Sequence, residues 1–341
     1  MAKHEVDRLV DTMGVPKAAA SCGVASVLFT YRCSIACKHC LFGCGMERPD
    51  VVMTPDECAE ALALLHETGR VVHIAGGEPM LYWDALRESV RLSFRQGVAP
   101  HFLETNCSFA ASDQVVRDRF VFLKEHGVRG LYASADPFHQ QFVPSERFLR
   151  VRRLAKEIFG PENFYGLENS DAEIRSLEDV ARDEARLGEY VRSHPPVMVG
   201  TARSQLTRHL ESYRPDDARL PAPAWRGAGD RNTCLNQFRA ETMWELHIDP
   251  YGNLQTNCGI VLGNVREISP AELFARGPEK ANRFVQTVSE AGPLGLAELA
   301  RREHGFELPE RVTQTCELCY LVRRFLRGFH PDVFGPAEVY A

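Results

Sequence analysis

An open, partial TIM-like barrel of the α/β class, followed by a smaller hairpin-and-helix domain, is the fold this sequence predicts. Two observations point to the barrel. Six short β-like runs recur through the first two-thirds of the chain, and amphipathic stretches with helix-start signals lie between them. A third observation sets its limit. Residues 214–232 turn rich in Pro, Gly, Ala and charge without sustained periodicity, and beyond them the pattern becomes strand, turn, strand.

The strand candidates are residues 25–29, 71–75, 101–104, 131–134, 164–167 and 197–200. Between the first two, Thr54 and Glu57 form a capping box with Pro55 at the first helical position, ahead of apolar Leu62, Leu64 and Leu65. Further helices are expected over 84–96, 112–125, 145–158, 177–193 and 203–212. A β/α series of this kind gathers its chemistry at the carboxyl ends of the strands. Residues 243–248, a turn at 249–253 and residues 254–257 read as a β-hairpin. The expected division is an N-terminal extension 1–24, a barrel 25–213, a linker 214–233 and a C-terminal domain 234–341. No internal repeat is visible.

Bulk properties narrow the function classes. Hydrophobic content of 44% and charged content of 25% are those of an ordinary soluble globular protein. The net charge of −6 provides no basic field for nucleic acid or an anionic membrane. No apolar run approaches the roughly 20 residues that span a bilayer, and residues 1–17 mix charge with apolar groups, unlike a secretory signal. Eleven cysteines in such a chain imply a reducing cytoplasm in which thiols serve as metal ligands.

Cys33, Cys37 and Cys40 lie within eight residues. Three thiolates can hold three irons of a cubane [4Fe–4S] cluster and leave the fourth iron open. A fully ligated cluster only passes electrons, whereas an open iron can bind and activate another molecule. Zinc stays open on these residues alone, with Cys44 or His39 as a fourth ligand, although the spacing is not that of paired Cys-x2-Cys knuckles. After the second strand come Gly76, Gly77, Glu78 and Pro79, where glycines allow close backbone approach and proline fixes the turn.

The third strand ends in Glu104, Thr105, Asn106 and Cys107, and the fourth leads into Ser134, Asp136 and His139. Asn106 suits either a ligand contact or a turn. Asp136 and His139 read as substrate contacts or as loop residues, and His139 has the ordinary pKa of an acid–base group. Arg203, past the sixth strand, can pair with a ligand carboxylate or form a surface ion pair. Cys107 reads as a small buried residue or as a hydrogen-atom donor. Farther on, Cys234, Cys258, Cys316 and Cys319 suffice for a fully ligated [4Fe–4S] cluster or for tetrahedral zinc.

The C-x3-C-x2-C spacing, with the Gly-Gly-Glu-Pro turn after the second strand, resembles the radical S-adenosylmethionine (SAM) superfamily. The resemblance implies a (β/α)6 barrel. It also implies that Cys33, Cys37 and Cys40 hold a [4Fe–4S] cluster whose open iron is chelated by the amino and carboxylate groups of SAM. Reduction then releases a 5′-deoxyadenosyl radical, with a reductase such as flavodoxin or ferredoxin as electron donor. Gly76, Gly77, Glu78 and Pro79 would bind the methionine amino group, Ser134 the carboxylate or ribose, and His39 would pack near the adenine. Asn106 and Arg203 complete the expected SAM contacts.

The C-terminal cysteines, with residues 247–253 and 263–265, resemble the twitch form of the SPASM/twitch extension, which implies one auxiliary [4Fe–4S] cluster. The resemblance runs from about residue 27 to 324. The expected function is hydrogen-atom abstraction from a small-molecule substrate in natural-product or cofactor tailoring. The alternatives are a ribosomal-peptide-modifying enzyme (thioether, carbon–carbon crosslink or epimerisation) and, outside catalysis, an electron carrier or a zinc-binding scaffold.

Overall fold

The computed structural model describes residues 3–222, 238–256 and 258–340. The chain divides into two compact units. The first comprises Met1–Ala36, Cys44–Leu187 and His247–Tyr251, and the second Cys37–Gly43, Gly188–Leu246 and Gly252–Ala341.

The first unit runs α1 (Lys3–Met13), α2 (Val15–Cys22), β1 (Val24–Leu28), α3 (Pro55–His66), β2 (Val71–Ala75), α4 (Trp83–Arg95), β3 (Phe102–Thr105), α5 (Asp113–Glu125), β4 (Gly130–Ala133), α6 (Pro137–Gln140), α7 (Ser145–Phe159), β5 (Phe164–Gly166) and α8 (Asp171–Arg182). Strands β1 to β5 pair in parallel, in the order β5-β4-β3-β2-β1. The capping box of Thr54 and Glu57 forms as the sequence predicts, and Ser112 caps α5 by accepting from the Val115 N–H.

Register gives the two faces of this sheet different chemistry. Val27, Ile74, Leu103, Leu131 and Phe164 are successive register partners, and none is more than 4% exposed. Helix α3 packs against β1 and β2, and α7 against β4 and β5. Each such side chain contributes about 1.5–3 kcal/mol on burial, so this row is a main stabiliser of the sheet. The alternate positions carry Ser26, His73, Glu104, Tyr132 and Tyr165 on the other face. Residues 1–24 include two helices. α2 packs against β2 and β5, and the Asn163 side chain accepts from the Val15 N–H at 3.1 Å.

α9 (Glu184–Ser193) crosses from the first unit into the second, which continues with α10 (Gly200–Gln205), β6 (Glu245–Ile248), β7 (Asn253–Thr256), β8 (Val261–Asn264), α11 (Pro270–Arg276), α12 (Arg283–His304) and α13 (Thr315–Leu326). β6 and β7 flank a turn in which Asp249 accepts from the Tyr251 N–H and Gly252 takes φ +79°. β7 pairs antiparallel with β8. α12 packs against α13 and is interrupted at Gly292 and Pro293, where glycine takes φ +66° and proline lacks an N–H.

Three expectations are corrected. The sixth strand of the predicted (β/α)6 barrel does not form at 197–200. Val199 instead bonds back to the Val197 carbonyl, and Gly200 at φ +56° opens α10. The expected helix 177–193 is two helices, because Asp183 is extended and its carboxylate caps the next turn at the N–H groups of Ala185 and Arg186. The expected helix 203–212 is α10 followed by a 3-10 turn over Thr207–His209. No described helix is long and apolar enough to cross a membrane.

Candidate functional site

In the first unit the site begins where β2 ends. The Gly77 N–H bonds the Thr30 carbonyl at 2.7 Å and the Glu78 N–H bonds the Arg32 carbonyl at 3.1 Å. The turn is thereby joined to the backbone leading into Cys33. Gly76 has φ +124°, and a Cβ there would lie 2.6 Å from the Thr30 oxygen; a Cβ on Gly77 would overlap the Arg32 carbonyl. Both glycines are required by close approach of two backbones.

Glu78 secures the other side of the turn. Its carboxylate accepts from the N–H groups of Met80 (3.0 Å) and Asn106 (2.7 Å) and from the Thr105 hydroxyl (3.0 and 3.1 Å). The residue is 1% exposed, and burial pushes its carboxyl up to about 7. Asn106 carries this chain of contacts to the cysteine loop. Its side-chain amide donates to the Cys33 sulfur at 3.3 Å and to the Ser34 hydroxyl at 3.2 Å, and its oxygen accepts from the Ser108 N–H at 2.9 Å. Cys107 next to it is fully buried with φ +66°, where glycine would be at ease, and burial raises its thiol well above the usual range.

At the end of β4, the Ser134 N–H bonds the Thr105 carbonyl. Asp136 caps α6, accepting from the N–H groups of Phe138 and His139, and its second oxygen lies 2.8 Å from His139 Nδ1. The carboxylate therefore fixes the orientation of that imidazole. Deeper on the same polar sheet face, His73 Nε2 lies 3.3 Å from a Glu104 oxygen, and the Tyr132 and Tyr165 rings meet edge to face at 5.0 Å. Ser26 is hydrogen-bonded to His247, and the Tyr31 hydroxyl donates to Asp249 at 3.1 Å.

In the second unit, the residues around Cys37, His39 and Cys40 are held by α10. The Thr201 hydroxyl donates to the carbonyls of Cys37 (2.9 Å) and Cys40 (3.1 Å), and the Thr201 N–H also bonds Cys40. A Cβ on Gly200 would overlap the Cys40 carbonyl. Sequence reasoning missed Gly200 and Thr201. Their one visible signal was a glycine in a segment read as a strand end. Arg203, expected near a ligand carboxylate, has its Nε 3.8 Å from an oxygen of Glu317, a residue that also accepts from the Thr313 N–H and hydroxyl.

Cys316 and Cys319 sit one turn apart on α13, both 4% exposed, and the Cys258 N–H bonds the Thr256 hydroxyl after β7. Cys234, the fourth member predicted for this group, lies outside the described residues. Arg323 continues the helix face of Cys316 and Cys319. It is 1% exposed, and no carboxylate among the described residues pairs with it. A soft sulfur donor set beside a buried permanent cation fits an anionic metal–thiolate group. Three soft thiolate donors at Cys33, Cys37 and Cys40, with the Gly76–Gly77 turn packed directly on the backbone before Cys33, fit a metal-cluster loop.

Residues 27–159 match the family model described as the radical SAM superfamily. They form a radical SAM domain. Among solved structures the chain is similar to the crystal structure of BtrN in complex with AdoMet and 2-DOIA. The TM-score is 0.44 and the identity 16%, over 80% of this chain and 88% of that one. No curated protein matches the chain.

Proposed function

We propose that this protein cleaves SAM reductively and abstracts a hydrogen atom from a small-molecule substrate, with an auxiliary [4Fe–4S] centre in its C-terminal part. The observation that carries the reading is the pair of backbone hydrogen bonds from Gly77 and Glu78 to Thr30 and Arg32. It makes the cysteine loop and the Gly-Gly-Glu-Pro turn one construction, which a zinc scaffold or a simple electron carrier would not need.

When bound by Cys33, Cys37 and Cys40, a [4Fe–4S] cluster with one open iron supplies the electron that splits SAM. The chain's own residues orient and enclose. Asn106 holds Cys33 through an N–H···S bond, the Thr201 contacts hold the backbone of Cys37 and Cys40, and the free edges of the Gly76–Gly77 turn receive the methionine amino group. Ser134, His39 and Arg203 complete the proposed contacts to SAM. The sheet face that carries His73, Glu104, Tyr132 and Tyr165 beside Phe102 supports a small substrate with polar groups, since it offers hydrogen-bonding side chains and no lysine or arginine. Cys234, Cys258, Cys316 and Cys319 are the proposed auxiliary ligands.

Anaerobic reconstitution tests the reading. The expected result is about eight irons and eight sulfides per chain, two [4Fe–4S] clusters, with 5′-deoxyadenosine formed from SAM and dithionite. Zinc in place of iron, without cleavage of SAM, overturns it. Deuterium transfer into 5′-deoxyadenosine from a labelled small molecule identifies the substrate class, and transfer from a labelled peptide alone overturns the small-molecule assignment.

A further inference from the structure

Helix α13 presents Cys316, Cys319 and Arg323 along one face, at a spacing of three and then four residues. The Arg323 guanidinium is in the core. Its Nη1 donates to the Cys258 carbonyl and to the Tyr340 hydroxyl, the latter at 2.9 Å. The Tyr340 hydroxyl passes the arrangement on by donating to the Gly259 carbonyl at 3.1 Å. The rings of Tyr320 and Tyr340 flank the cation at 5.7 and 5.5 Å and stack 5.6 Å apart. Arg323 Nε makes no hydrogen bond among the described residues.

A guanidinium does not give up its charge in a protein, and burying it without a counter-ion is costly. Tyr340 does not supply one, because burial pushes its hydroxyl up to about 12 and it stays neutral. The Arg323 guanidinium donates to the backbone carbonyl of Cys258 and lies one helix turn beyond Cys319, so the sulfurs of those two residues are the groups placed to balance its charge. The counter-ion this pocket requires is thus a thiolate group. A metal-bound set of thiolates carries that negative charge whatever the pH.

We infer that Arg323 is the built-in counter-ion of the auxiliary centre and sets its reduction potential. The inference rests on the auxiliary [4Fe–4S] reading above. A cluster held by thiolates gains a negative charge on reduction, so a desolvated cation beside two of its ligands favours the reduced form. Potentials of such clusters follow net charge, hydrogen bonds to sulfur and solvent exposure. The residue is a positioning and electrostatic group, which touches ligands of the cluster and no substrate.

The test uses the full-length chain carrying Cys33→Ala, Cys37→Ala and Cys40→Ala, so that only the auxiliary centre remains, reconstituted anaerobically. Iron, sulfide and zinc are counted, and the cluster is titrated by EPR against redox mediators. With Arg323 intact, about four irons per chain are expected. Arg323→Gln is expected to lower the reduced-to-oxidised ratio at fixed potential about tenfold, a shift of about 59 mV for one electron. Arg323→Lys keeps a cation but loses the planar fork, and is expected to lower the ratio about threefold. Four irons with an unmoved potential in either variant overturns the role of Arg323 and leaves the auxiliary cluster standing. Zinc, or no metal, in the Arg323 parent overturns both. Should Arg323→Gln not fold, Arg323→Lys decides by the same reading.

Discussion

The chain gathers cysteines in two places by opposite means. Cys33, Cys37 and Cys40 come from one short loop that neutral groups hold in place: the Asn106 amide at Cys33 and the Thr201 hydroxyl at the carbonyls of Cys37 and Cys40. Cys258 and the Cys316–Cys319 pair come from segments far apart in the chain, and the polar group between them is a buried cation. The first arrangement keeps sulfur donors in register cheaply, because the residues are already neighbours and little loop entropy is lost. The second must be assembled by the fold, and in the proposed reading the thiolates of a bound metal centre balance its buried cation. The difference teaches that cysteines close in sequence are held here by hydrogen bonds to neutral groups, and cysteines distant in sequence are gathered around a buried cation.

The sharpest way to break the comparison is to remove a loop ligand. Cys33→Ala is expected to abolish 5′-deoxyadenosine formation and to halve the iron, from about eight to about four per chain, leaving the distant centre loaded. Iron analysis and product chromatography report both effects; loss of all iron would mean the two groups are not independent.

Gly77→Ala comes next. Its Cβ would overlap the Arg32 carbonyl oxygen, which is backbone and cannot swing aside. A cost of about 3 kcal/mol in denaturant stability is expected, together with failure to load the loop cluster. An unchanged unfolding midpoint would show that the turn and the loop are not in close contact.

Glu78 gives a pH signature. Its folded-state carboxyl is raised by burial from 4.5 to about 7. The stability this group contributes is therefore complete below about pH 4.5 and is lost as pH rises through about 7. The swing is on the order of 3 kcal/mol. In Glu78→Gln, denaturant titrations of the metal-free protein should lose this slope while keeping the hydrogen bonds that an amide oxygen can accept. A slope that persists in the variant assigns it to another group.

The smallest effects sharpen the picture of the loop. Asn106→Leu removes the N–H···S bond to Cys33, and Thr201→Val removes the donor to Cys37 and Cys40. Each is expected to weaken cluster retention about tenfold in a chelator competition. Each should also lower stability by about 1 kcal/mol.

Much of the first unit was legible from local pattern. The capping box at Thr54, the short β-like runs of β1 to β4 and the cysteine spacing all depend on neighbours within a few residues. The missed elements depend on distant partners. The segment 197–200 has the composition of a strand, yet the next residue bonds the Cys40 carbonyl instead of a sheet neighbour. β8 is short, interrupted by a bulge, and legible only as the partner of β7. Asn106 reads from the sequence as a ligand contact or a turn residue, and only the fold shows its amide donating to Cys33 and Ser34.

The amino-acid sequence by itself determined the donor types, their spacing and the glycines that a tight turn requires, because these follow from local chemistry and backbone sterics. Only the tertiary structure decided that the Gly76–Gly77 turn is stapled to the residues before Cys33, that Thr201 grips the Cys37 and Cys40 carbonyls, and that Arg323 lies buried against the Cys258 carbonyl with no carboxylate partner among the described residues. Those facts depend on which distant groups lose water together, and no window of neighbouring residues records that.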